Sequence, residues 1–355
     1  MKFFQGLKVV ELASVLAAPA VGMFFAELGA EVIKVEHRKK GGDMTRQWKL
    51  KNEDPSSPIS AYFSSVNYRK EYVDLNLGNP DDLLKLRMLI SESDIFLNNM
   101  KAKSAQRFGL DNESLKNEYP RLIHCELSGF KHDDSKVAFD AVLQAETGYI
   151  SMNGSKEHAA KLPVAFIDLM AAHQMKEAIL IALLERSKDG KGAHITCSLE
   201  ESALASLANQ ASNQLMASHE AIPMGTLHPN IAPYGEIMEL RDKVKFMLAI
   251  GTDTHFEKLC EILSCKELLK QENYSDNQSR VMHRTALHVH LKNAASKMTA
   301  TDFEKACLEN SVPVGRIKGL AEVMESRVAK EMLREEEIEG KDTKRLSSLA
   351  FQISR

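Results

Sequence analysis

Residues 163–202 read PVAFIDLMAAHQMKEAILIALLERSKDGKGAHITCSLEES. A short apolar run, Val164–Ile167, stops at Asp168 and is expected to be a buried strand. Beyond it Leu169, Ala172, Met175, Ile179, Ala182 and Leu183 recur at spacings of three and four, the pattern of a long helix. Arg186, Lys188 and Lys191 crowd its far end, where cations suit the helix dipole. Asp189-Gly190-Lys191-Gly192 is a turn, and His194–Leu199 alternates like a strand. The order strand, helix, strand is that of an α/β sheet, and it places Asp168 at a strand end and in the first turn of a helix.

Two readings of Asp168 fit that position. As an N-cap its carboxylate satisfies free N–H groups at the helix start. As a nucleophile it is held ionised by the same groups and attacks an activated carbonyl to form a mixed anhydride. Local sequence does not separate the two.

The N-terminal third repeats the α/β pattern. Leu7–Leu12 is a β-run, Pro19 opens a helix through Leu28, Gly29 closes it, and Glu31–Val35 is the next strand. The intervening turn, ASVLAAP, lacks the G-x-G-x-x-G of a dinucleotide fold, so Glu36 is not read as a ribose-binding acid. The basic loop HRKKGGDMTRQW, residues 37–48, follows a strand end, where α/β proteins bind ligands. It is either a solvated loop or a phosphate contact through the Arg38 guanidinium. Further elements are a strand over Val73–Leu77, a helix over Pro80–Ser91 and a strand over Ile95–Asn98. Ser128 lies in no G-x-S-x-G elbow and is not a serine nucleophile. Later come an Ala- and Ser-rich connecting helix over Ser202–His219, a strand over Lys245–Gly251, and helices over Asp253–Leu263, Arg284–Lys297 and Ala300–Asn310. The charged run Arg334–Arg345 reads as solvated surface or helix.

At 355 residues the chain is long enough for two domains. A net charge of −3 gives no electrostatic bias toward nucleic acid. The opening MKFFQGLKVVEL lacks a signal-peptide layout, and the longest apolar stretch, Val15–Ala26, is too short to span a bilayer. Five cysteines without a CxxC pair suit a reducing cytoplasm, and no His/Cys cluster has metal-ligand spacing.

Several stretches together resemble the class III CoA-transferase family, which includes formyl-CoA transferases, α-methylacyl-CoA racemases and L-carnitine dehydratase-like proteins. VAFIDLMAAHQMKEAILIALLERSKDGKGAHITCSLEESAL is similar to its core segment, with the catalytic aspartate falling on Asp168. Val32, Ile33, Lys34, Glu36, Gly42, Asp43 and Arg46 match a second motif. Asn67 and Lys70 match a third; Asn98-Asn99-Met100 and Arg107-Phe108-Gly109-Leu110 match two more. YPRLIHCELSGF, AFDAVLQAETGYI, GTLHPNIAPY and VPVGRIKGLA continue the likeness to about Met332.

The resemblance implies a large domain with a parallel Rossmann-like sheet, a smaller α/β domain, and two chains interlocked as rings in a homodimer. The expected bounds are 1–205 for the large domain, 206–224 for a linker, 225–310 for the small domain and 311–355 for a return segment. It implies coenzyme A and acyl-CoA as substrates with small carboxylic acids, without metal, redox cofactor, nucleic acid or membrane. Arg38, Lys70, Asn99, Arg107 and Lys136 become candidate CoA contacts, although Arg107 also reads as a helix C-terminal cation. Asp140 is a second catalytic candidate or a structural acid. Racemases of the family carry histidine before that acid; here Phe139 cannot shuttle a proton, which favours transferase over racemase. His228 reads as a base or, preferably, a loop anchor. Leu16-Ala17-Ala18-Pro19 departs from the Gln-Ala-Gly-Pro of typical transferases, which keeps a non-catalytic CoA-ester-binding homologue as an alternative.

Overall fold

The computed structural model describes residues 3–354. The chain divides into two compact units: Met1–Ile150, Lys161–Ala221 and Arg327–Arg355 form one, Ser151–Ala160 and Ile222–Ser326 the other.

In the first unit β1 (Lys8–Leu12), α1 (Ala17–Glu27), β2 (Glu31–Glu36), α2 (Ala61–Ser64), β3 (Glu71–Asp74), α3 (Pro80–Ser91) and β4 (Ile95–Asn98) are followed by α4 (Ala102–Phe108), α5 (Asn112–Glu118) and β5 (Ile123–Ser128). Then come α6 (Asp140–Glu146), α7 (Tyr149–Met152), which runs across the Ile150/Ser151 boundary between the units, α8 (Phe166–Asp189), β6 (Ala193–Ser198), α9 (Leu199–Ala205) and α10 (Asn209–Ala217). The six strands form one parallel sheet in the order β3-β2-β1-β4-β5-β6. The order reverses between β1 and β4, and such a switch point opens a crevice at the carboxyl ends of the strands.

Both faces of the sheet are covered, as a parallel sheet requires. Val9, Ile95, Leu97, Ile123 and Cys125 pack with α1 and α8; Val10 and Phe96 point the other way, toward Leu86 and Ile90 of α3 and Leu115 of α5. Helix α1 is buried from Ala17 through Ala26, which fits its nearly all-apolar sequence. It starts at Ala17, two residues before Pro19. The missing N–H of Pro19 has no partner to lose in a first turn.

A buried ionic cluster sits inside this unit. Glu11 of β1 receives Lys34 Nζ at 3.0 Å and Lys70 Nζ at 2.7 Å, all three buried. Gly22 of α1 makes room for it: a Cβ there would lie 2.0 Å from Glu11 Oε2.

The second unit is a three-stranded antiparallel sheet, β7 (Tyr234–Glu239), β8 (Lys245–Ala249) and β9 (Val314–Arg316), with α11 (Asp253–Ile262), α12 (Asn277–Met282), α13 (Arg284–Ala295), α14 (Ala300–Glu309) and α15 (Leu320–Met324). Phe246, Leu248, Phe256, Leu259, Leu287, Leu291 and Phe303 form its core. Thr252 and Thr299 cap α11 and α14 through their hydroxyls. His228 is tied into its loop: its N–H donates to Tyr234 O at 2.9 Å and its Nδ1 accepts from Asn230 N–H at 3.1 Å.

Three expected elements differ. Val164–Ile167 is not a strand; α8 already runs from Phe166. The connecting helix over Ser202–His219 is two helices, broken where Ala208 takes a positive φ of 48°. The charged run 334–345 lies in an antiparallel hairpin, β10 (Leu333–Ile338) and β11 (Lys341–Leu346), which follows α16 (Arg327–Met332). Its turn is Glu339-Gly340, both at positive φ, as tight hairpins demand. Opposite charges meet across the strands, Lys344 Nζ lying 2.6 Å from Glu335 Oε1. A cross-strand pair and a helical i,i+4 pair draw on the same residue types, so composition alone does not tell them apart.

Candidate active site

Two cavities lie at the carboxyl ends of the parallel strands. One, of about 200 Å³, lies beside Ala13, Ser14, Glu36, Asp43, Asn99 and Met100. The other, of about 320 Å³, shares Ser14, Asn99 and Met100 and extends along Ser128, Lys136 and Phe139. Together they form a trench across the switch point.

The turn after β1, which both cavities touch, is clamped from two sides. Asn99 Oδ1 accepts from Ser14 N–H at 3.3 Å, and Asn99 Nδ2 donates to Ser14 O at 3.1 Å. Val15 N–H donates to Asp43 Oδ1 at 3.2 Å. Val15 has φ +76°, a strained conformation for a β-branched residue, and the clamp holds it there. Asp43 is fixed in turn by Thr45 and by Lys34 Nζ at 3.0 Å. Burial works against ionisation of Asp43, but Lys34 and the Thr45 hydrogen bonds outweigh it and hold the carboxyl below its usual range.

Two carboxylates meet at the head of α8. Asp140, first residue of α6, accepts from Ile167 N–H through Oδ1 at 2.8 Å and from Gln144 Nε2 through Oδ2 at 2.6 Å. Gln144 Oε1 accepts from Leu162 N–H at 2.7 Å, so the approach to α8 is tied to α6. The cap of α8 is thus Asp140, from another helix, and Asp168 is released from that role. Asp168 lies in the first turn, 6% exposed, and among the described residues no hydrogen-bond donor reaches its carboxylate. Burial, with the charge of Asp140 added, raises its pKa to about 7. The helix N-terminus favours the anion.

Aromatic rings connect this pair to the trench. Phe139, next to Asp140, lines the larger cavity and lies 6.3 Å from the Trp48 ring; Trp48 meets Tyr62 edge-on at 5.1 Å. Burial and then the charge of Asp168 push the Tyr62 hydroxyl up to about 12. Tyr62 therefore stays protonated beside the acid pair. Trp48 and Tyr62 were not among the residues expected from sequence. Their spacing in the chain carries no periodic signal, and only the fold brings them to Phe139.

The five expected CoA contacts are spread unevenly. Asn99 and Lys136 line the trench; Lys136 Nζ pairs with Glu146 at 2.7 Å. Arg38 is at the head of the basic loop, ion-paired to Glu339 at the tip of the β10–β11 hairpin and 3.7 Å from Glu36. Arg107 lies at the end of α4, over the Phe108 ring, with Gly109 as its αL cap. Lys70 faces inward, its Nζ bound by Glu11, Asn67 Oδ1 and Pro19 O, and it lines neither cavity. Ser128 lines the larger cavity, whose wall contains no histidine to activate it. Leu16 and Ala18 are packed into the core.

Residues 4–354 match the family model described as CoA-transferase family III. The chain is 33% identical to a succinate–glutarate CoA-transferase of Agrobacterium fabrum, over 90% of this chain and 81% of that one. It is 30% identical to an acetyl-CoA:oxalate CoA-transferase of Acetobacter aceti, over 90% of this chain and 82% of the relative. Among solved structures, a CAIB/BAIF family protein from Brucella suis superposes with a TM-score of 0.84 at 33% identity, covering 99% of this chain and 92% of that one.

Proposed function

The chain belongs to CoA-transferase family III and is an enzyme of that family, and we propose that it moves CoA between two small dicarboxylic acids through covalent intermediates on Asp168. The acyl class is taken from the relatives, whose names specify succinate, glutarate and oxalate. The observation that carries the mechanism is Asp168 itself: a buried carboxylate at a helix N-terminus, relieved of capping by Asp140 and bound by no donor among the described residues.

In the first step Asp168 attacks the thioester carbonyl of the donor. The C–S bond breaks, the CoA thiolate leaves, and an acyl–aspartyl anhydride remains. The thiolate then attacks the aspartyl carbonyl and expels the donor acid as its carboxylate, leaving an aspartyl-CoA thioester. The acceptor carboxylate attacks that thioester, releases CoA thiolate again and forms a second anhydride. Attack of the thiolate on the acceptor's acyl carbon yields the new acyl-CoA and returns Asp168 as carboxylate. Atoms and charge balance at each step without any outside reagent.

CoA would lie along the trench at the strand ends, with Asn99 and Lys136 in its wall and Arg38 toward the nucleotide phosphates. Phe139 supports transfer over racemisation, since the position before Asp140 offers a ring packed on Trp48 instead of a base. A homodimer of interlocked chains, with the large and small domains joined by the 206–224 linker, remains part of this reading. So does a reducing, cytoplasmic setting, supported by five free cysteines. Among the described residues no helix is long and apolar enough to cross a membrane.

The test is intact mass after incubation with succinyl-, glutaryl-, oxalyl- and acetyl-CoA, quenched in acid. An adduct on the wild type, localised to Asp168 and missing from Asp168→Ala, is the expected result. CoA binding with both proteins unmodified by every donor would remove the nucleophile assignment.

A further inference from the structure

Away from the trench, three side chains of metal-ligating type converge on the face of β5 and β6 that lies toward α5. His124 of β5 and His194 of β6 are paired in register across adjacent strands, and Glu126 follows His124 by two residues on the same face. The imidazole rings lie 5.2 Å apart and nearly parallel. His194 Nε2 is 2.6 Å from Glu126 Oε2, and His124 Nε2 is 3.7 Å from Glu126 Oε1. One donor atom from each residue falls within 4.8 Å of the others. A cavity of about 500 Å³, with Leu115, Leu122, His124 and His194 in its wall, opens beside them.

A hydrogen bond between an edge histidine and a glutamate would account for His194 and Glu126 alone. It does not account for His124. That ring is 3% exposed, and its Nδ1 has no hydrogen-bond partner among the described residues. Asn98 Oδ1 accepts from Met100 N–H at 3.1 Å, so the Asn98 amide nitrogen faces His124 Nε2, at 3.0 Å. Nε2 is thereby the acceptor, its lone pair held by the Asn98 amide, with Glu126 Oε1 3.7 Å from the same nitrogen.

We infer that His124, Glu126 and His194 form a binding site for a divalent cation of the zinc class, with its fourth coordination position open to the adjoining cavity. Two imidazoles and one carboxylate are a donor set for borderline divalent ions, which hard cations such as Mg²⁺ do not favour. Tetrahedral ligand bonds of roughly 2.0–2.2 Å place donors about 3.4 Å apart, so the His194–Glu126 pair, now at 2.6 Å, must open and the His124–Glu126 pair, now at 3.7 Å, must close slightly. Side-chain rotation achieves that on a rigid pair of strands. Binding exchanges the Asn98 contact and the His194–Glu126 hydrogen bond for metal bonds. The ion would tie edge strand β6 to β5, and the open position would accept water or a small anion. The site is independent of the chemistry at Asp168.

The experiment uses the full-length chain, stripped with a chelator and titrated with Zn²⁺ by calorimetry and with Co²⁺ by visible absorption. One equivalent should bind, with a cobalt spectrum of four- or five-coordinate N/O type and a rise in the unfolding temperature. H194A, an edge-strand change that leaves the core intact, and H124Q should each weaken binding by at least about tenfold, the lower end of what outer-shell losses alone cause. No saturable one-to-one binding, or binding equally strong in H194A, would overturn the assignment.

Discussion

Asp140 accepts the backbone N–H of Ile167 at 2.8 Å, one residue ahead of Asp168. Two acids thereby share one helix start but divide its tasks. The first satisfies the backbone; the second keeps its oxygens free. The division also sets up electrostatics, since the charge of Asp140 adds to burial in raising the pKa of its neighbour.

The pH profile should reflect that arrangement. In the proposed mechanism Asp168 reacts as a carboxylate, and burial together with the charge of Asp140 raises its pKa to about 7. kcat/KM for the acyl-CoA should rise with pH up to about 7 and level off above it. In D140N one source of the shift is gone, so the inflection should move down, by roughly one unit. Initial-rate profiles of both proteins check this; an unmoved inflection in D140N would reassign the titration.

The same shift predicts a stability trade. The folded-state pKa of Asp168 lies above the unfolded value of about 3.9. The folded state therefore holds the proton more tightly, and this group's contribution to stability falls as pH rises from about 4 to about 7. D168N, neutral throughout, should match the wild type near pH 4 and exceed it at pH 8, by up to roughly 4 kcal/mol. Urea unfolding at the two pH values measures the difference.

The cluster of Glu11, Lys34 and Lys70 should be sensitive to loss of a single member. K34M leaves Glu11 short of a cation and Asp43 without its ion pair, and should cost about 3–5 kcal/mol. G22A pushes a methyl against the Glu11 carboxylate and should cost about 1–3 kcal/mol. Denaturant midpoints of the two variants test both values. K34M should also loosen the Asp43 clamp on Val15 and raise KM.

Arg38 and Glu339 offer a paired test of the nucleotide end. The Glu339 carboxylate is seated on the guanidinium that would take a CoA phosphate. R38A should raise the KM for acyl-CoA about tenfold with little change in kcat, the size of one charge-assisted contact. E339Q should lower KM by removing the competing anion. Steady-state kinetics distinguish these directions; opposite signs would place the phosphates elsewhere.

Much of this architecture was readable from residue patterns. The strand–helix–strand units of the N-terminal third and the long periodic run ending at Asp189-Gly190 stand close to where expected. Asp168 was legible as a helix-start acid, but its freedom from capping was not. The cap comes from a residue 28 positions upstream, and no local pattern encodes it. Lys70 shows the complementary gap: a lysine in a motif looks like a ligand contact until Glu11, 59 positions away, is found against it. The 334–345 run was ambiguous because its opposite charges pair equally well along a helix or across a hairpin.

The hairpin has one more consequence. Arg345 of β11 reaches back to Glu27 of α1 at 2.5 Å, and Ser347 and Ser348 hydroxyls bind the same carboxylate. The compact unit that holds Asp168 is thus closed by a contact spanning 318 residues. During synthesis the segment Ile222–Ser326 leaves the ribosome complete while its host still lacks its final strands. The inserted unit therefore has every residue it needs to fold before the β10–β11 hairpin can seal the unit that holds Asp168.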